Sequence, residues 1–111
     1  MAAKFELKAA KGGKFMFILK AANGKVILTS ETYDTKKAAA KGIEAVKKNA
    51  ANEKRFEKRK AKNGQQYFIL KAANGEPIGR SETCTSAMSV KNGITSVMQN
   101  APDARVDDLT E

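Results

Sequence analysis

Apolar positions along the chain recur first with the period of a strand and then with that of a helix, and the whole progression occurs twice. Along Phe15 to Ala21, alternation sets Phe17, Leu19 and Ala21 on one face and Met16, Ile18 and Lys20 on the other. Gln66 to Ala72 repeats this, with Phe68, Leu70 and Ala72 opposed to Tyr67, Ile69 and Lys71. The first set of each segment is expected to face the helices. Flanking strands are predicted over Lys4 to Ala9 and about Val26 to Ser30, and again over Arg55 to Lys60 and Ile78 to Ser81. Beyond Thr32 and Thr83 the period changes. Ala39, Ile43, Val46 and Ala50, and then Val90, Ile94, Val97 and Ala101, recur at i, i+4, i+7 and i+11, the single buried stripe of a helix. Asp34 or Thr35, and Thr85 or Ser86, supply N-caps. The helices are expected to stop at Asn49-Ala50 and at Asn100-Ala101-Pro102.

Between the strands stand Gly12-Gly13 and Asn63-Gly64 at one site and Asn23-Gly24 and Asn74-Gly75 at the next. Both pairs read as two-residue hairpin turns with positive φ. Shifting the chain by 51 residues aligns 4–50 with 55–101 without a gap, and 22 of those 47 positions are identical. The segment Leu19 to Gly24 recurs letter for letter as Leu70 to Gly75. This is a tandem duplication of a β-β-β-α unit. One unit alone leaves sheet edges open and buries little surface. The expected fold is therefore α+β: one antiparallel sheet, two helices on one face and a pseudo-two-fold axis between the repeats. Residues 1–111 form a single domain of two repeats, 4–50 and 55–101, followed by a short acidic segment, 102–111. Gly42 and Gly93 fall inside the helices beside the apolar stripe. Glycine there costs roughly 0.5–1 kcal/mol relative to alanine, which points to close backbone approach to the sheet.

The duplicated Phe17-Ile18-Leu19-Lys20-Ala21-Ala22-Asn23-Gly24 and Phe68-Ile69-Leu70-Lys71-Ala72-Ala73-Asn74-Gly75 lead into Ser30-Glu31-Thr32 and Ser81-Glu82-Thr83, then Gly42-Ile43 and Gly93-Ile94. In these motifs, over nearly its whole length, the sequence resembles the YegP-like family of small bacterial proteins. The resemblance implies tandem β-β-β-α units in a single sheet, with a short strand after a helix crossing to the other unit. Arg105-Val106-Asp107 is the expected strand of that kind. The resemblance brings no activity and no catalytic residues. The second copy departs from the first at Lys58 and Lys60, which replace Leu7 and Ala9, and at Pro77, which replaces Val26. These departures read as drift.

Charge adds a direction to this symmetric plan. The net charge is +9, but residues 1–62 carry +11 and residues 63–111 carry −2. Such asymmetry favours nucleic acid or an acidic protein as partner. The candidate nucleic-acid residues are Lys54, Arg55, Lys58, Arg59, Lys60 and Lys62 in the basic segment, with Lys20, Lys71 and the stacking surface of Tyr67 on the outward sheet face. The competing reading is a protein-interaction or self-associating housekeeping domain whose charge serves solubility and keeps an edge strand from pairing.

Other chemistry is sparse. Histidine is absent, and neither a Walker loop nor a G-x-G-x-x-G following a strand occurs. No catalytic, cofactor-binding or metal-binding residue is assigned, no cofactor is expected, and the protein reads as non-enzymatic. The one exception weighed is Glu31 with Glu82, a repeated pair that would form an acid/base site if the two met at the pseudo-axis. The alternative is that each glutamate pairs with a nearby lysine while Ser and Thr of each Ser-Glu-Thr satisfy backbone at a strand end. No apolar run approaches the roughly 20 residues of a membrane helix. The lone Cys84 is expected to pack rather than react, and a cytoplasmic monomer with no membrane partner is expected.

Overall fold

The change of period divides sheet from helix in both repeats. The computed structural model describes residues 3–83 and 86–110, so the readings of Cys84 and Thr85 lie outside the described residues. In chain order the elements are β1 (Lys4–Ala10), β2 (Lys14–Lys20), β3 (Val26–Ser30), α1 (Lys36–Asn49), β4 (Phe56–Lys60), β5 (Gln66–Lys71), β6 (Pro77–Arg80), α2 (Ala87–Asn100) and β7 (Arg105–Asp108). Thr35 caps α1 by accepting a hydrogen bond from the Ala38 amide, and Ser86 caps α2 by accepting one from Ser89. Both helices pack on the face carrying Phe17, Leu19, Phe68 and Leu70. These four residues are fully buried with Phe5, Leu28, Ile43, Val46, Val90 and Val97. No described helix is long and apolar enough to cross a membrane.

The strand order is β4-β5-β6-β3-β2-β1-β7. Six strands form the expected antiparallel sheet, palindromic about the β3–β6 junction, where Thr29 pairs with its own counterpart Arg80. The seventh makes the sheet mixed, for β7 leaves the second repeat and lies parallel beside β1 of the first. In the first copy the corresponding residues run straight into β4. This crossover explains Lys58 and corrects the reading of drift. Leu7 lies on an inner strand and is 3% exposed. Lys58 lies on an edge strand and is exposed, where charge discourages pairing with a further strand.

The hairpins differ from expectation in one respect. At Gly24, Gly64 and Gly75 only the glycine has positive φ, 85°, 85° and 87°, and each asparagine before it does not. The loops are three-residue rather than two-residue. Asn23 Oδ1 accepts from the Lys25 amide, Asn63 from Gln65 and Asn74 from Glu76, all at 3.0 Å. The side chain closes the turn, so the asparagine needs no left-handed backbone. Each following strand carries one extra residue opposite β2 or β5. These two residues, Ile27 and Ile78, pack on the core.

The helix glycines are tight, as expected, but against side chains rather than sheet backbone. A Cβ on Gly42 would stand 2.5 Å from Tyr33 Oη and 2.9 Å from Phe17. On Gly93 it would meet Phe68 at 3.0 Å. Tyr33 stacks on Phe17 at 6.1 Å and closes the space over α1.

Candidate nucleic-acid interface

The sheet face opposite the helices is read through its register. Glu6 pairs with Ile18, Ile18 with Thr29, Thr29 with Arg80, Arg80 with Ile69 and Ile69 with Glu57. Alternation puts all six on the open face, in one row running across the strands. Ile18 and Ile69 are only 7% and 9% exposed there, and the neighbouring long side chains account for that cover. They are therefore closed to the base stacking expected of this face. Met16 and Tyr67, one position along, remain half-buried.

The predicted nucleic-acid residues divide into three groups. Lys20 and Lys71 are engaged by carboxylates: Lys20 lies 3.2 Å from Glu6 Oε1 and Lys71 2.5 Å from Glu57 Oε1. Three strand intervals, roughly 14 Å across the sheet, and about 13 Å along the antiparallel strands separate these lysines. Arg59 also pairs with Glu57 and reaches the Tyr67 hydroxyl. Lys54, Arg55 and Lys58 form no common surface with the rest. The first two lie in a 3-10 turn ahead of β4, roughly 17 Å of chain from Lys60, and alternation turns Lys58 toward the helix side, whereas Lys60, of the same alternation, ends β4 and lines the cleft at the turn.

Lys60, Lys62 and Tyr67 do converge. They line an open cleft of about 720 Å³ at the turn between β4 and β5, together with Arg80, Ser81 and Glu82. Among the described residues, Lys60, Lys62 and Arg80 form no ion pair, and with Glu82 sharing the cleft they leave an excess of two positive charges there. Arg80 escaped the sequence reading, because in the chain it is an isolated cation replacing Thr29. Only the β5–β6 register sets it beside Ile69 and near Tyr67.

The glutamates behave differently in the two repeats. Burial pushes the carboxyl of Glu6 up, but hydrogen bonds and charge from Lys20 and Lys4 outweigh it and hold the group below its ordinary range. The more open Glu57 is held low by Lys71 and then Arg59.

The Glu31–Glu82 site is not formed. Thr29 faces Arg80 in antiparallel register, which sets the two glutamates on opposite sides of the axis, about 13 Å apart along the strands. The serines instead serve the backbone. Ser30 Oγ accepts from the Phe17 amide at 2.9 Å and donates to the Glu31 carbonyl, and Ser81 does the same for Phe68 and Glu82.

A profile of the domain of unknown function DUF1508 matches residues 10–57 and 61–108, two spans set 51 residues apart. UPF0339 proteins of Mannheimia succiniciproducens and Pasteurella multocida are similar at 54% and 55% identity, covering 96% of this chain and 95% and 93% of theirs. The UPF0339 protein YegP of Yersinia pestis is 43% identical over 106 residues, 96% of this chain and 95% of that protein. The solution NMR structure of YegP from E. coli, a protein of unknown function, superposes with a TM-score of 0.93 at 47% identity. That match covers 99% of this chain and 95% of the other.

Proposed function

The chain belongs to the UPF0339 family of tandem DUF1508 proteins, and we propose that it is a small non-enzymatic binding module that takes single-stranded nucleic acid in the cleft beside Tyr67. The observation that carries this reading is the convergence of three cations, Lys60, Lys62 and Arg80, which form no ion pair among the described residues, on a half-buried aromatic ring. Phosphates supply the missing counter-charge, and a base has a π-face for the ring. Single strands fit better than duplex because an unstacked base can reach a ring set into a cleft. Paired cations such as Lys20 and Lys71 contribute less, since each already has a carboxylate partner.

Fluorescence anisotropy on a labelled single strand tests the reading. Three phosphates in the cleft contribute about −2 to the slope of log affinity against log salt. Replacing Lys60, Lys62 and Arg80 by glutamine should flatten the slope by that amount and weaken all sequences alike. Tyr67→Ala should cost about 1–3 kcal/mol of binding. A parent protein that binds no strand at about 50 mM salt overturns the proposal.

A further inference from the structure

Resting on that reading, we infer that the Glu6 cluster of the first repeat is a second anion subsite, and that one single strand crosses the open face between it and the second repeat. Glu6 is 6% exposed, yet three lysines surround its carboxylate. Lys4 Nζ lies 3.3 Å from Oε2, and Lys8 and Lys20 lie 3.6 and 3.2 Å from Oε1. Asp107 also touches Lys4, at 3.3 Å, but brings Arg105 with it at the same distance. The cluster thus holds two positive charges in excess. A buried carboxylate that gathers three flexible ammonium groups removes part of the side-chain entropy a phosphate would otherwise have to overcome.

The second repeat carries the same device. Glu57 pairs with Lys71 and Arg59, two cations to one carboxylate. Five strand intervals, about 24 Å, separate the two clusters along the row Glu6, Ile18, Thr29, Arg80, Ile69, Glu57. Arg80 stands between them on the pseudo-axis, beside the Tyr67 cleft. A polyanion laid along this row meets cations at both ends and at the middle. The occupant is an extended single strand because its phosphates repeat along one flexible line. The pseudo-two-fold presents similar cations to a strand of either polarity.

Anisotropy with homopolymers of about 2 to 16 nucleotides, titrated with salt, tests this. For strands long enough to reach both clusters, about five phosphates give a slope near −3.5, a loss of about 100-fold between about 50 and 200 mM salt. Lys4→Gln with Lys8→Gln should reduce the slope to near −2 and that loss to about 20-fold, and should abolish the gain from the longer strands. Because the double variant removes partners from a buried glutamate, Lys8→Glu is measured beside it. This single change leaves Lys4 and Lys20 on Glu6 and should flatten the slope in the same direction. If both folded variants keep the parental slope and length dependence while still binding, the second subsite is overturned and the Tyr67 cleft stands. If only Lys8→Glu folds, its slope decides alone. If the parent binds no strand at any length, both readings fall together.

Discussion

The two repeats share nearly half their aligned residues and nearly all their backbone plan, yet one is sealed and the other open. In the first, β7 covers β1, Leu7 is buried, and Tyr33 stacks on Phe17 with both rings against Gly42. In the second, β4 is an edge carrying Lys58, Arg59 and Lys60, and a cleft opens where β5 and β6 leave the core. A single topological fact separates them: the strand following α1 begins the next repeat, while the strand following α2 returns to the first. Duplication made two equal units, and closing the sheet made them unequal. The unequal part is where Lys60, Lys62, Arg80 and a half-buried aromatic ring collect.

The most severe way to break the comparison is to remove one side of it. Residues 1–52 alone lack β6 and β7, so β1 and β3 both become open edges. That fragment should be unfolded or self-associated. A monomeric half that melts cooperatively in calorimetry would show that each repeat is already a complete fold.

Exchanging the inner and edge residues should come next in size. Leu7→Lys places a charge in a site 3% exposed and should cost about 3–5 kcal/mol in urea unfolding. The mirror change, Lys58→Leu, should alter stability by no more than about 0.5 kcal/mol but promote association through the uncovered edge, visible in light scattering. Equal costs for the two would mean that β1 and β4 are equivalent after all.

The helix glycines sharpen the contrast more finely. Gly42→Ala should destabilise by about 1–3 kcal/mol, because its Cβ meets Tyr33 and Phe17 at distances below 3 Å. Gly93→Ala has a single close neighbour at 3.0 Å, the rim of Phe68. The gain in helix propensity nearly offsets that contact, so its effect should stay within about 0.5 kcal/mol. A stabilised Gly42→Ala would show that the Tyr33 lid yields freely.

The smallest expected effect is the acid response of β7. Hydrogen bonds from Lys36 and then Thr110 hold the Asp108 carboxyl at about 2, below its ordinary 3.8. A depressed carboxylate stabilises above its unfolded pKa, and that contribution is lost as pH falls through the folded value. Anchorage of β7 should therefore be complete above about pH 4 and fade toward pH 2. Amide protection at Val106 and Asp107 should fall in that window before protection in β2 and β5. Simultaneous loss in all strands would indicate global unfolding and no separate β7 step.

Much of this molecule was legible in the chain. The period-two strands, the helical stripes and the caps, narrowed to Asp34 or Thr35 and to Thr85 or Ser86, are local patterns, written in residues a few positions apart, and the repeat is a direct match of letters. The resemblance pointed to the crossing strand at Arg105. Less of the candidate site was legible: Tyr67, Lys60 and Lys62 were named, but Arg80 was not, and Lys20 and Lys71 were given a freedom that Glu6 and Glu57 remove. A glutamate on the next strand, 14 residues away in the chain, leaves no trace in the neighbourhood of a lysine along the chain.

Sequence alone determined what each unit is, because strand period, turn closure and helix capping depend on near neighbours in the chain. Tertiary structure decided which unit is inner and which is edge. It also decided why Gly79 replaces Leu28 across the junction: a Cβ there would stand 2.9 Å from the Thr29 carbonyl and 3.2 Å from the Leu28 side chain itself. Close packing at a pseudo-two-fold axis leaves room for one leucine and not for its image, a condition that exists only once the two repeats have met.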